Sequence, residues 1–185
     1  MPFTFTPTDL DGVILIEPRV FGDHRGFFLE SYKQSDFGNA GVNVSFVQEN
    51  HSRSSAGILR GLHYQTAPFG QGKLVRAIVG EIYDVAVDIR RDSATFGRWI
   101  GATLSDSNRR SLYIPPWCAH GFCVISEYAE VIYKTTAEYR PDYEQGIRWD
   151  DPALGIDWPT RQVTLSERDR HWPSLADIAD TAVMA

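Results

Sequence analysis

The chain has 185 residues, and its 24 acidic and 18 basic side chains give a formal charge of -6 at pH 7. This length suits one domain with its own hydrophobic core, and an apolar content of 43% excludes wholesale disorder. The acidic balance excludes binding of nucleic acid or a membrane surface through a general basic field. We therefore expect a single domain over residues 1–185, in which a few placed arginines would hold any anionic ligand.

Short stretches with strand character follow one another along most of the chain, separated by turn residues. The predicted strands cover 13–16, 26–31, 44–50, 59–65, 74–79, 82–89, 99–104, 112–114, 122–125 and 130–136. Helical character is confined to 35–40 and to the tail after Ser174. About ten strands in one domain favour an all-β sandwich or barrel, with the jelly roll as the leading candidate and short helices at its periphery. Exposed sheet edges also make pairing with a second copy a reasonable expectation.

The stretch 82–89 gives the clearest strand signal. Its residues alternate between an entirely apolar set and a set that includes Asp84 and Asp88. A period of two is typical of a strand that buries one face, so we expect the other face of this strand to be exposed.

Nothing in the sequence predicts export or a membrane span. No uncharged stretch reaches the roughly 20 apolar residues that a transmembrane helix needs, and the N-terminus lacks the basic and apolar regions of a secretory signal. Two cysteines, Cys118 and Cys123, are too few for a disulfide scaffold and are interpreted as small buried hydrophobic residues. A cytoplasmic location is the expectation.

Strand alternation places several polar side chains on apolar faces. His63 shares a face with Leu59, whereas Arg60 is assigned to the opposite face. Further polar residues that share faces with apolar neighbours are Gln48, Asn50, Gln65, Lys73 and Tyr133. Burying such groups is costly unless they bond to one another or to a ligand. The pattern predicts a polar cavity inside the barrel, although each residue alone also fits a structural role.

Other kinds of site have weaker support. The candidate histidines His51, His63 and His120 are isolated, without the His-x-His pair typical of metal-binding barrels, and a metal-dependent cupin stays only as an alternative. Neither a glycine-rich phosphate loop nor a GxSxG nucleophile elbow occurs. Arg25 and Arg60 lie beside glycines, where a guanidinium could grip a diphosphate or simply face solvent.

Nine short motifs then point to one family. They are 21–30 (FGDHRGFFLE), 48–52 (QENHS), 59–65 (LRGLHYQ), 71–76 (QGKLVR), 114–116 (IPP), 119–122 (AHGF), 133–134 (YK), 146–152 (GIRWDDP) and 165–169 (LSERD). In their order and near-family spacing, from about residue 10 to residue 170, they resemble the dTDP-4-dehydrorhamnose 3,5-epimerase family.

The resemblance implies a metal-free, cofactor-free jelly roll of cupin type that forms a homodimer with strand exchange. It implies His63 as the base, Asp169 as its carboxylate partner, Tyr133 as the acid and Lys73 near the keto oxygen. The positions that would hold the dTDP-linked 4-keto-6-deoxy sugar are Arg25, Glu30, Gln48, Glu49, Asn50, Arg60, His120, Tyr139, Glu144 and Arg168. The activity implied is epimerisation at C3 and C5.

Two alternatives stay open, and two departures from the family pattern are visible. The chain could act at C3 or C5 alone on a related sugar of a secondary metabolite, or bind a sugar nucleotide without catalysis. Trp117-Cys118 replaces the small residues usual before the motif at 119–122, and we expect the large ring near the barrel mouth. The segment from about residue 171 matches nothing specific, and we expect a variable, partly mobile tail.

Overall fold

A computed structural model describes residues 2–178, and the predicted jelly roll is confirmed. Its strands are β1 (Phe3–Pro7), β2 (Ile14–Pro18), β3 (Val20–Asp23), β4 (Gly26–Leu29), β5 (Gln48–Ser55), β6 (Leu59–Gln65), β7 (Lys73–Val79), β8 (Glu81–Asp88), β9 (Trp99–Ser105), β10 (Ser111–Ile114), β11 (Cys118–Val124), β12 (Tyr128–Thr135) and β13 (Glu144–Gly146). The helical elements are α1 (Gln34–Asn39) and the 3₁₀ turns Pro141–Tyr143, Arg168–Arg170 and Leu175–Asp177.

Two antiparallel sheets form the body of the fold. The larger sheet has the strand order β1-β2-β10-β7-β12-β5, and the smaller has the order β13-β6-β11-β8-β9. Strands β3 and β4 form a separate hairpin. Among the described residues, no helix is long and apolar enough to cross a membrane.

Apolar side chains from both sheets fill part of the space between them. This inner cluster includes Val75 from β7, Ile82 from β8 and Leu112 from β10. A second cluster lies on the outer side of the smaller sheet, where Val85 and Val87 of β8 pack against the segment 147–178. The face of β8 that was predicted to be exposed is the one that carries Ile82, and it lies buried between the two sheets, so that prediction is wrong. The later segment covers the opposite face of the strand.

The segment after residue 170 is packed against the domain as far as the structure describes it. Leu175 is buried, and its N–H donates to Asp151 Oδ2 at 2.6 Å. Ile178 is also buried in the outer cluster. The part of the predicted tail at 171–178 thus has defined contacts, and the predicted helix after Ser174 is only a 3₁₀ turn. The rest of that predicted helix, from Ala179 onward, falls outside the described residues.

The β3–β4 hairpin exposes aromatic side chains to solvent. Phe27 and Phe28 are 60% and 66% exposed, and Phe21 is 47% exposed. Three exposed aromatic rings on one small hairpin favour its association with another surface.

Candidate active site

A cavity of about 600 Å³ opens between the two sheets. This volume lies in the range of small-molecule sites. Eleven of the residues predicted from the sequence line it: Gln48, Asn50, Arg60, His63, Lys73, His120, Tyr133, Tyr139, Glu144, Arg168 and Asp169. The polar cavity expected from strand alternation is therefore present.

Three other predicted residues lie outside this cavity. Arg25 is in the turn of the β3–β4 hairpin, where its guanidinium pairs with Asp23 at 2.5 Å. Glu30 follows β4, and Glu49 is on β5, where it accepts a hydrogen bond from Lys134. The cavity of one chain thus brings together most of the predicted set but not these three.

His63 and Asp169 form a close pair, although 106 positions separate them. His63 Nε2 lies 2.6 Å from Asp169 Oδ1, and Asp169 is only 3% exposed. Burial acts to raise the pKa of Asp169, but hydrogen bonds from His63, Ser166 and Trp172 outweigh it and leave the pKa below its usual value. The carboxylate therefore stays charged. It fixes the imidazole proton on Nε2, and Nδ1 carries the free lone pair.

Arg60 and His63 line the same cavity, so the prediction of opposite faces for these residues is wrong. The alternation of β6 breaks at Gly61, whose φ is +136°. The pairing of β6 with β11 shifts register nearby, and a Cβ on Gly61 would lie 2.5 Å from the Cα of Gly121. Only glycine permits this backbone conformation together with so close an approach.

Lys73 begins β7 and is 7% exposed. Its Nζ donates to the carbonyl oxygen of His63 at 3.3 Å. Burial lowers the pKa of Lys73 to about 8, while the charges of Asp84 and Glu144 act in the opposite direction. The ammonium is therefore present at neutral pH but close to losing its proton.

His120 belongs to a second imidazole–carboxylate pair. Its Nε2 lies 2.7 Å from Asp84 Oδ1, and both residues are buried. His120 faces His63 directly in the β6–β11 ladder. Burial lowers the pKa of His120, although the charge of Asp84 acts to raise it. The lowered pKa favours a neutral imidazole. Sequence reasoning missed Asp84, although the alternation of β8 already placed it with Ile82 on one face.

Tyr133 approaches the cavity from the sheet opposite His63. It lies on β12 of the larger sheet, whereas His63 lies on β6 of the smaller sheet. Burial raises the pKa of Tyr133, although the charge of Arg60 and a hydrogen bond with Asn50 act to lower it. The phenol is therefore protonated at neutral pH and available as a proton donor.

Charged and aromatic side chains meet at the rim of the cavity. Glu144 accepts hydrogen bonds from the Tyr139 hydroxyl at 2.5 Å and from the Arg168 guanidinium. Trp117 lies elsewhere: it packs near Gly12 and beneath the guanidinium of Arg90, so the expectation of a ring at the barrel mouth is wrong. Within residues 2–178, no three His, Cys, Asp or Glu side chains are grouped to hold a metal ion.

Comparison with known proteins identifies the family. A family model described as dTDP-4-dehydrorhamnose 3,5-epimerase matches residues 7–177. The chain belongs to the dTDP-4-dehydrorhamnose 3,5-epimerase family. It is 59% identical over 167 residues to the dTDP-4-dehydrorhamnose 3,5-epimerase of Pseudomonas aeruginosa, covering 89% of this chain and 92% of that one. The match to the family model includes 171–177, which the sequence motifs had left unassigned.

Two solved structures of epimerases share the fold closely. The RmlC epimerase of Legionella pneumophila, solved in complex with dTDP-4-keto-L-rhamnose, is 46% identical with a TM-score of 0.92, over 96% of this chain and 95% of that one. NovW, a 4-keto-6-deoxy sugar epimerase from the novobiocin gene cluster of Streptomyces spheroides, is 39% identical with a TM-score of 0.92, over 95% and 88%. The chain is thus an isomerase by family.

The lowered pKa of Lys73 can be measured directly, because the sequence contains only three lysines. In ¹³Cε-lysine NMR, we expect the Lys73 signal, assigned by its loss in Lys73→Gln, to titrate with a midpoint of about 8 because burial disfavours the ammonium. A midpoint near the ordinary lysine value of about 10.4 would contradict this.

Proposed function

We propose that the chain converts dTDP-4-dehydro-6-deoxy-D-glucose to dTDP-4-dehydro-L-rhamnose by inverting C3 and C5. The observation that carries this proposal is the placement of a carboxylate-supported imidazole and a protonated phenol on opposite sheets of one cavity. The Legionella complex with dTDP-4-keto-L-rhamnose, a product of this kind, supports the choice of substrate.

Proton removal falls to His63. The hydrogens at C3 and C5 are acidic because each carbon is adjacent to the C4 ketone, provided that the enolate is stabilised. Nδ1 of His63 takes the proton, and the Asp169 carboxylate stabilises the imidazolium. The Lys73 ammonium, which is itself buried, donates to the enolate oxygen. Above about pH 8 this donor is lost as Lys73 deprotonates.

Inversion needs a proton from the other side of the sugar ring. Tyr133 gives its hydroxyl proton to the carbon, and the tyrosinate later regains one from solvent. The enolate carbon thereby becomes tetrahedral with the opposite configuration, and no electrons are exchanged with a cofactor. Sheets that face each other at about 10 Å leave room for a sugar ring between the two groups.

The remaining polar residues are proposed to hold the nucleotide and sugar. Arg60 and Arg168 suit the diphosphate because a guanidinium can bind two oxygens at once. Tyr139 at the rim offers an aromatic face to the base. The other ligand contacts would come from Gln48, Asn50, His120 and Glu144.

We also propose that the chain works as a homodimer joined through the β3–β4 hairpin. Arg25 and Glu30 match ligand-holding positions of the family but lie outside the cavity of their own chain. The hairpin that carries Arg25 exposes Phe27 and Phe28. If it packs on a second copy, the aromatic rings become buried and the two charged residues can reach that copy's cavity.

Two other functions are distinguishable by experiment. The likeness to NovW favours, as a second candidate, an epimerase that inverts one centre of a related 4-keto-6-deoxy sugar. A binding module without catalysis fits less well, because binding alone does not require a base and an acid on opposing sheets.

Incubation with dTDP-4-dehydro-6-deoxy-D-glucose in deuterated buffer should place deuterium at both C3 and C5, read by NMR. His63→Ala should slow this exchange by about 100- to 10,000-fold because the base is gone. His51→Ala is the matched control, since His51 is also on a strand but pairs with Glu130 outside the cavity. Deuterium at one carbon only would support the single-centre epimerase, and binding without exchange the non-catalytic module.

Tyr133→Phe should separate exchange from inversion. His63 can still remove a proton and return a deuteron to the same face, so exchange continues while epimerised product falls by about 100-fold or more. Tyr128→Phe, an exposed tyrosine on the same strand, should leave both rates unchanged. Equal loss of exchange and inversion in Tyr133→Phe would argue against its role as the second proton donor.

The hairpin proposal predicts different effects for two neighbouring substitutions. Phe28→Asp should convert the dimer to monomer in analytical ultracentrifugation, because a carboxylate cannot be buried unpaired in the interface. Arg25→Ala should remain dimeric but raise KM by about tenfold through loss of a charge-assisted contact. A monomeric wild type would refute the dimer, and an unchanged KM in Arg25→Ala would refute the shared site.

A further inference from the structure

A tryptophan outside the sequence motifs contacts the carboxylate of the proposed base pair. Trp172 Nε1 donates to Asp169 Oδ1 at 3.2 Å. This is the same oxygen that His63 Nε2 contacts at 2.6 Å. The carboxylate oxygen thus receives two N–H donors, one from the imidazole and one from the indole.

The indole ring of Trp172 packs against the backbone of a glycine on the strand next to His63. A Cβ on Gly146 would lie 2.5 Å from ring atoms of Trp172, so the absence of a side chain makes room for the ring. Gly146 is paired with His63 in the β13–β6 ladder. The Trp172 ring also meets the His63 ring edge-on, with centroids 6.1 Å apart.

We infer that Trp172 is a positioning residue for the base. It acts through Asp169. The indole N–H of Trp172 holds one carboxylate oxygen of Asp169 in line with His63 Nε2, and the carboxylate in turn orients the imidazole toward the cavity. The inference rests on the proposed function in one respect, namely that the His63–Asp169 pair removes the substrate proton.

The surroundings of Asp169 show what loss of this donor would change. The titratable and charged groups that face Asp169 are His63 from β6 and Arg168 from its own 3₁₀ turn. Arg168 in turn donates to Glu144 of β13. The backbone N–H of Asp169 donates to the hydroxyl oxygen of Ser166 at 3.1 Å, and the Ser166 side chain also acts to lower the pKa of Asp169. Without the indole N–H, the carboxylate loses a directional contact on the oxygen that faces the imidazole.

Trp172→Phe removes the N–H but keeps an aromatic ring on Gly146. We expect the ¹³Cγ signal of Asp169, assigned with Asp169→Asn, to titrate about one pH unit higher than in the wild type. We expect kcat to fall by about 3- to 10-fold with KM within about twofold, since orientation of the base is affected rather than substrate binding.

Trp99→Phe is the matched control. Trp99 is also partly buried, and its indole N–H donates to a single acceptor, the carbonyl of Leu154 at 3.0 Å. Removal of that N–H should leave both the Asp169 titration and kcat unchanged. A purely structural role of Trp172 would give equal effects in the two variants.

Gly146→Ala supplies a second route to the same contact if Trp172→Phe folds poorly. The added methyl group should displace the indole and raise the Asp169 midpoint, but should have little effect in a Trp172→Ala background, where no ring is displaced. An unchanged midpoint in both Trp172→Phe and Gly146→Ala overturns the inference, as does a shifted midpoint with unchanged kcat. The NMR titration needs no substrate, so it decides the contact even if the wild type exchanges no substrate protons.

Discussion

Pairing of charged groups inside the barrel is the constraint on which the rest of this structure depends. An isolated buried charge is too costly to keep, so each must have a partner. Asp169 meets this requirement through His63, and Asp84 through His120. Because Asp169 follows the sandwich strands, the chain must fold back across the smaller sheet to deliver it. Packing of 147–178 on the outer face of that sheet holds the returning chain in place.

The acid and the base of the proposed mechanism come from different sheets of the sandwich. The imidazoles come from the smaller sheet, and Tyr133 and Lys73 come from the larger. In a sandwich, the apolar side chains packed between the sheets set the spacing of the sheets. The inner cluster around Val75 and Ile82 thus has a geometric role in addition to its contribution to stability.

Alternation and motif order were enough to predict β6 to the residue and to place His63, Lys73 and Tyr133 at the cavity. The errors have physical causes. Strand β3 is exposed throughout and has no inner face to produce a pattern. At Gly61 a positive φ breaks the period on which the side assignment of Arg60 relied. Both faces of β8 are buried, one by the opposite sheet and the other by a segment that begins about 60 positions later, and local periodicity cannot show either covering. Contacts such as that of Trp172 with Asp169 likewise require the folded chain.

The late position of Asp169 in the chain has a consequence for biosynthesis. Proteins are made from the N-terminus, and the strands of both sheets precede Asp169 in order of synthesis. The barrel can therefore assemble with Lys73 and Tyr133 already in place while His63 still lacks its carboxylate. Such a nascent chain would have the cavity but no carboxylate beside the imidazole of His63. The order of synthesis thus allows shape to precede reactivity, because the base gains its carboxylate only with the turn Arg168–Arg170.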